Sequence, residues 1–251
     1  MSETSKLWLV CGVAIILIAA MFIFIAPIPQ PLAYHEFSDP RDWLGIPNFG
    51  DVMSNASFGA VGLYGLWVLS KRSDSGTWSE DARLPLAVFF IAVALVGPGS
   101  AYYHWAPDNA TLFWDRLPMT VGFMALLSAV IVDRIGVRWA LPALVAVGLL
   151  SAVYWRMTDD LRVYVLVQFL PVVLIPMIMA LWPHGKWISW RAIFGAFTFY
   201  ALAKLTEHFD GEVLALLGES ISGHTIKHLF AALAPLAVAQ TLQKTTRKDQ
   251  S

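Results

Sequence analysis

Eight apolar runs, each about as long as a membrane is thick, dominate this sequence. A helix rises about 1.5 Å per residue, so about 20 apolar residues cross the hydrocarbon core of a bilayer. The runs comprise residues 7–26, 52–70, 84–104, 112–132, 139–155, 161–182, 190–208 and 224–242. Because open sheets cannot satisfy their backbone hydrogen bonds in lipid, the runs predict an all-α, polytopic membrane helix bundle.

The composition excludes several other classes of protein. Hydrophobic residues make up 57% of the chain and charged residues 14%, whereas soluble domains average about 45–50% and about 25%. A formal net charge of −1 provides no basic surface for a phosphate backbone, so we expect no nucleic-acid partner. The single cysteine, Cys11, excludes an intrachain disulfide framework. The expected surroundings are therefore the lipid bilayer.

The distribution of basic residues predicts an orientation. With eight spans both termini lie on one side of the membrane, and eleven of the 17 Lys and Arg residues flank the runs on that side. Lys204 and Lys227 fall within runs. On the opposite side lie Arg41, Arg116, Arg156 and Arg162. Since basic residues favour the cytoplasmic side, both termini are predicted to be cytoplasmic.

Two of the runs are less apolar than the others. Gly59, Gly62 and Gly65 lie in the second run and predict close packing on a neighbouring helix, a common use of small residues in membrane bundles. The seventh run carries Lys204, followed three residues later by Glu207. We expect this lysine to pair with the glutamate or to extend toward the interface.

Five polar residues fall at the ends of three runs that are distant in sequence. Ser100 and His104 end the third run, Asp115 begins the fourth, and His224 and His228 begin the eighth. The alternation of spans places all five at a similar depth on the non-cytoplasmic side. Ionisable groups within a membrane cost about 2.5–3.5 kcal/mol each on insertion scales, so these residues are functional candidates.

The spacing of these residues favours a metal site. His224 and His228 are four residues apart, so a helix projects both imidazoles from one face. With His104 they form a three-histidine set with an open fourth position, as in catalytic zinc sites. Ser100 lies on the same helical face as His104, and Asp115 supplies a carboxylate that could accept a proton from an activated water.

The same residues have simpler interpretations. Each histidine could place its polar tip at the interface, and Asp115 could pair with the adjacent Arg116. His208 falls beside Glu207 at the same depth, where it is either a supporting residue or an interfacial one. The first run could be a secretory signal, because Lys6 precedes it. Its length and the lack of a small-residue cleavage site favour an uncleaved helix.

The set S-x3-H, an aspartate eleven positions later and a terminal H-x3-H resembles the alkaline ceramidase family, which belongs to the CREST superfamily. The resemblance covers roughly residues 39–242. It implies a seven-helix membrane domain over residues 31–251, preceded by an added transmembrane helix over residues 1–30. It also implies Zn²⁺ bound by His104, His224 and His228, proton transfer by Asp115 and oxyanion stabilisation by Ser100. The implied reaction cleaves the N-acyl bond of a ceramide-like membrane lipid.

The resemblance also points to a candidate site for a second metal ion, calcium. Animal members of this family carry a calcium site before their first core helix, and here SDPRDW and NFGDVMSN are similar, with Asp42, Trp43 and Asn48 in matching positions. Other ligand positions are not matched, although Asp39 or Asp51 could substitute. A calcium site and a solvated acidic loop are both open interpretations of this segment.

The sequence therefore predicts a zinc-dependent membrane amidohydrolase that releases a fatty acid and a long-chain amine. A receptor-like member of the same superfamily, which binds lipid with little turnover, is the first alternative. An intramembrane serine protease using Ser100 is the second, but it leaves Asp115 and the histidine pair of H-x3-H without roles. A transporter is a third, without the paired helix breaks typical of such folds.

Overall fold

The computed structural model describes residues 1–73 and 80–248, and helices account for most of them. These residues contain no β-strand, which confirms the predicted all-α polytopic bundle. A short 3₁₀ helix spans Leu32–His35. The α-helices are α1 (Glu3–Phe24), α2 (Phe49–Ser54), α3 (Ala56–Ser73), α4 (Glu80–Trp105), α5 (Asn109–Arg134), α6 (Ala140–Thr158), α7 (Arg162–Leu181), α8 (Trp190–His208), α9 (Asp210–Leu216) and α10 (Gly223–Lys248).

Within the described part of the chain, seven helical segments are long and apolar enough to cross a membrane. Each coincides with one of the predicted runs, with ends that differ by a few residues. The segments are Glu3–Phe24, Phe49–Lys71, Arg83–Trp105, Asn109–Arg134, Ala140–Thr158, Arg162–Leu181 and Gly223–Leu242.

The remaining predicted run, residues 190–208, forms α8 with the same bounds. This helix is less apolar than the seven because it carries Arg191, Lys204 and Glu207. Lys204 Nζ lies 2.7 Å from Glu207 Oε2, so the predicted pairing of these two residues is confirmed. Charge compensation inside the pair lowers the cost of placing both groups among apolar helices.

Helix α5 occupies the centre of the bundle. It packs against α4, α6 and α7, while α10 packs against α8 and α3, and α3 packs against α4. The main core fills the space between these helices with buried apolar side chains, among them Leu69, Phe90, Val130, Ile175 and Leu242. The core therefore joins α3, α4, α5, α7 and α10 into one unit.

Two glycines of α3 permit its close approach to α4. A Cβ atom at Gly62 would overlap the backbone of Ala94, and one at Gly65 would overlap the ring of Phe90. A Cβ atom at Gly59 would meet nothing within 4 Å. The predicted role in close packing is thus confirmed for Gly62 and Gly65, and Gly59 lies against Gly97 of α4, where an added Cβ atom would be 3.3 Å from the Gly59 nitrogen.

Helix α1 packs on the outside of the bundle against α7. None of its residues is buried, as expected for a helix whose other faces meet lipid. Beyond it, the backbone N–H groups of Ile28 and Gln30 donate to the carboxylates of Asp160 and Asp159. These bonds hold the segment that leads to the 3₁₀ helix across the end of the bundle.

Candidate metal centre

Three imidazoles from two helices converge at one end of the bundle. His104 lies in the last turn of α4, and His224 and His228 lie in the first two turns of α10. Their ring centroids form a nearly equilateral triangle with sides of 4.8, 4.9 and 4.9 Å. Nitrogen atoms of the three rings lie within 4.8 Å of one another, a cluster compact enough to hold one metal ion.

The hydrogen bonding of two of these rings fits a metal ligand set, whereas His224 Nε2 lies 3.0 Å from the Lys227 ammonium. All three side chains are buried, and His104 Nδ1 and His228 Nε2 have no hydrogen-bond partner. A buried polar nitrogen without a partner is costly, so such atoms call for an explanation. Neutral imidazole nitrogen is a preferred zinc donor. A zinc ion would satisfy both atoms at once.

Ser54 determines which nitrogen of His228 is free. The Ser54 hydroxyl donates to the backbone oxygen of Asp51 at 3.1 Å and lies 2.7 Å from His228 Nδ1. A hydroxyl has a single hydrogen, so its donation to Asp51 leaves the Ser54 oxygen able to accept from a protonated Nδ1. The lone pair then resides on Nε2, the unpartnered atom, which is the tautomer a metal ligand requires.

The loop between α1 and α2 closes over the centre. The Phe37 ring packs on His104 and His224, with centroid distances of 4.6 and 5.3 Å. Asn48 Nδ2 donates to the backbone oxygen of His104 at 2.8 Å. Asp210 accepts from the backbone N–H of His224 at 2.7 Å, which satisfies a free donor at the start of α10. These contacts fix both helix ends.

Lys227 is a neighbour of the centre that sequence reasoning missed. Its Nζ lies 3.0 Å from His224 Nε2 and 2.9 Å from Glu207 Oε1. Glu207 thus bridges Lys227 and Lys204. The spacing from His224, three residues along α10, places both side chains on one face and was a usable signal.

Ser100 and Asp115 lie together beside the histidines. Ser100 is buried one turn before His104, and its side chain lies near the Asp115 carboxylate on α5. Both residues line the same cavity as His228. Gly99 permits this proximity, because a Cβ atom there would overlap the backbone oxygen of Trp114.

The predicted alternative pairing of Asp115 with Arg116 is wrong. Arg116 Nη2 instead donates to Gln30 Oε1 at 2.7 Å. Its guanidinium lies over the rings of Trp155 and Tyr164, with distances to the centroids of 4.3 and 4.7 Å. The aromatic rings draw the side chain away from the neighbouring carboxylate, which leaves Asp115 free to face Ser100.

A cavity of about 340 Å³ extends from Ser100, Asp115 and His228 into the bundle. Residues from α4, α5, α7, α8 and α10 line it, and most of the lining is apolar, including Val93, Met119, Phe123, Ile175 and Ala231. Small-molecule sites have this character, with an apolar wall and a few convergent polar groups. The shape suits a ligand with a polar head and an apolar chain.

His208 does not join the histidine cluster. It is exposed at the end of α8 and packs on Phe209 at a centroid distance of 4.8 Å. It is therefore the interfacial residue of the two alternatives.

The carboxylates considered for calcium are separated among protein partners. Asp39 forms two hydrogen bonds of 2.6 Å with Arg41, which hold its pKa below the usual value. Asp42 accepts from the backbone of Gly45, and Asp51 Oδ1 accepts from Thr225 at 2.7 Å. Over residues 1–73 and 80–248, the three histidines are the one group of His, Cys, Asp or Glu side chains found to be close enough to share a metal ion.

Comparison with known proteins gives modest support to the family resemblance. No family model matches the chain. A segment of 99 residues is 27% identical to a protein of Dictyostelium discoideum named "Putative alkaline ceramidase dcd3A". The match covers 36% of this chain and 34% of that protein, so it spans about a third of the relative's length. It suggests the alkaline ceramidase family for a membrane protein with a candidate metal centre.

Proposed function

We propose that this chain is an integral membrane, zinc-dependent amidohydrolase that cleaves the N-acyl bond of ceramide or a related lipid. The products are a fatty acid and a long-chain amine. The observation that carries the proposal is a cluster of three buried histidines, one of which, His228, lines an apolar cavity together with Ser100 and Asp115. The name of the Dictyostelium relative supports the same class of reaction.

His104, His224 and His228 would hold the zinc ion. A zinc ion in such a site polarises a carbonyl group and lowers the pKa of bound water toward about 7. Ser54 contributes by keeping the Nε2 lone pair of His228 available. Phe37 and Asn48 keep the cluster covered and hold His104 in place.

Asp115 is positioned for proton transfer. Its carboxylate accepts a proton from the water that attacks the amide carbon, and returns it to the nitrogen as the C–N bond breaks. Once Asp115 has accepted that proton, the hydroxyl of the neighbouring Ser100 can donate its one hydrogen to the oxygen on which negative charge develops. The apolar cavity holds the acyl chain and excludes bulk water from the reacting groups.

The depth of the site agrees with a lipid substrate. An amide at headgroup level can reach the histidines while its acyl chain occupies the cavity. We propose that the site faces the exoplasmic side and that both termini are cytoplasmic, on the basis of the unequal distribution of Lys and Arg.

Zinc analysis of the purified protein tests the metal assignment. We expect about one zinc per chain in the wild type and a large loss in His224→Ala, because two ligands hold the ion far more weakly than three. Absence of zinc from both proteins would refute the proposal.

Hydrolysis of an N-acyl lipid tests the reaction in the same preparations. Asp115→Ala should retain zinc but lose roughly 10²- to 10⁴-fold in rate, the usual contribution of a general base. Product accumulation with substrate in excess separates an enzyme from a receptor-like protein. Stoichiometric zinc without turnover would favour the receptor-like alternative.

A further inference from the structure

Arg116 is a buried cation with an unfilled bonding position. Its side chain lines the cavity and its exposed fraction is 5%. Nη2 donates to Gln30, but Nη1 has no hydrogen-bond partner. Burial of a charged group without its full set of partners is costly, and charged residues inside a membrane protein are usually functional. The free donor therefore indicates a missing acceptor.

The surroundings of Arg116 hold the guanidinium in a defined plane. Trp155 and Tyr164 lie against it at 4.3 and 4.7 Å, and the ring of Tyr34 is 5.6 Å away. A guanidinium fixed in this way is preorganised to donate to a planar anion. Carboxylates match the spacing of its N–H groups better than any neutral oxygen does.

The charges that line the cavity leave Arg116 without a counter-ion. Apart from Arg116, the charged lining residues are Asp115, Lys204, Glu207 and Lys227. Glu207 pairs with both lysines, and the Arg116 guanidinium donates to Gln30 rather than to Asp115. Three cations thus stand against two carboxylates in an apolar environment, where electrostatic attraction to an anion is strengthened.

We propose that Arg116 binds a carboxylate of the substrate, so that among the lipids related to ceramide the preferred substrates are N-acyl amino acids, which release a fatty acid and an amino acid. This inference rests on the proposed amide hydrolysis. Asp115 and Arg116 are consecutive in α5 and both line the cavity. In an N-acyl amino acid, the carboxylate is one carbon atom away from the amide nitrogen. A single bound molecule thus places its amide near Asp115 and its carboxylate near Arg116.

A matched pair of substrates tests the proposal. N-palmitoylglycine and N-palmitoylethanolamine share an acyl chain and an amide. The first carries a carboxylate where the second carries a hydroxymethyl group. With the zinc-loaded full chain, we expect kcat/KM to be at least about tenfold higher for the acid, equivalent to about 1.4 kcal/mol. Equal rates, or a preference for the neutral amide, would overturn the proposal.

Substitution of Arg116 assigns the preference to this side chain. Arg116→Gln should bring the ratio of the two rates close to one, and the ratio is insensitive to the fraction of protein that folds. Arg162→Gln is the matched control, because Arg162 pairs with Asp160 and does not line the cavity. Its ratio should equal that of the wild type. A preference that survives Arg116→Gln contradicts the assignment.

Binding measurements separate failure of this inference from failure of the proposed reaction. If neither amide is hydrolysed, the proposed function fails, and the melting temperature then reports on the carboxylate site. A larger stabilisation by N-palmitoylglycine than by N-palmitoylethanolamine, abolished in Arg116→Gln, supports the site. Equal stabilisation rejects it. If palmitate stabilises the protein as strongly as N-palmitoylglycine does, and the effect also requires Arg116, the carboxylate bound there belongs to the released fatty acid. That result would overturn the substrate assignment.

Discussion

Helix α5 carries the dipeptide Asp-Arg near both of its ends, and the two copies behave differently. At one end Asp133 and Arg134 form an ion pair of 3.1 Å. Asp133 accepts from the backbone N–H groups of Lys186 and Trp187, and Arg134 donates to backbone oxygens of residues 182 and 183. At the other end, Asp115 and Arg116 turn to different partners.

The difference distinguishes charged side chains that stabilise the fold from charged side chains that are available to a ligand. The loop that follows α7 wraps around Asp133 and Arg134 and provides their hydrogen-bond partners. Arg134 Nε has no hydrogen-bond partner, but it lies 3.1 Å from Asp133 Oδ2. By contrast, Arg116 Nη1 and His228 Nε2 are buried without partners and belong to residues that line one cavity. Since native proteins rarely leave such atoms unpaired, their position beside one cavity indicates a binding site.

The largest effect on stability is expected at the structural end. Asp133→Ala leaves the Arg134 guanidinium buried without its carboxylate and removes the acceptor for three backbone N–H groups. Breaking a buried pair in this way costs roughly 3–5 kcal/mol, so the melting temperature in detergent should fall steeply.

The zinc content of the folded fraction is the control for that variant. Asp133 lies at the opposite end of α5 from Asp115, so Asp133→Ala should still bind zinc when folded. If zinc were lost without a change in melting temperature, the division between a structural end and a ligand-binding end would be wrong.

An intermediate effect is expected from Ser54→Ala. Without the Ser54 hydroxyl, the proton of His228 is no longer held on Nδ1, and the ring can rotate. Loss of such a supporting bond usually weakens metal affinity by about 10- to 100-fold, and competition with a zinc chelator measures it. Ser57→Ala is the matched control, because the Ser57 hydroxyl donates to the backbone oxygen of Ser54 at 2.7 Å. Equal affinities in the two variants would remove Ser54 from the centre.

The smallest effect is a dependence of stability on pH at the link between α6 and α7. Hydrogen bonds from Arg162 lower the pKa of Asp160 to about 2. Because the pKa is depressed in the folded protein, the stabilisation is fully present above the ordinary aspartate pKa of about 4 and is lost as the pH falls toward 2. The difference in melting temperature between the wild type and Asp160→Asn should therefore shrink from pH 6 to pH 3. A constant difference would show that the ionised carboxylate contributes nothing.

Much of the fold could be predicted because a helix in lipid must satisfy its backbone within itself. The run at 190–208 forms a helix with the same bounds, and the other runs differ from their helices by a few residues at most ends. The histidine cluster was also predictable. His224 and His228 share a face by their spacing, and the alternation of spans brings His104 to the same depth.

Other parts of the site depend on contacts between remote segments. Nothing near His228 in the sequence indicates that Ser54 orients its ring, and the contact of Lys227 with Glu207 joins two helices. Local periodicity reports which face of a helix a residue occupies. It carries no information about which side chain of another helix meets that face.

The sequence by itself determined a bundle of membrane-crossing helices with a set of polar residues at one depth, because length, apolarity and helical spacing are local properties. The tertiary structure alone decided what each charge does. Asp115-Arg116 and Asp133-Arg134 are the same dipeptide in the same helix, but one is enclosed by a loop and the other is drawn apart by aromatic rings and a cavity. The partners that a buried charge finds depend on packing across the bundle.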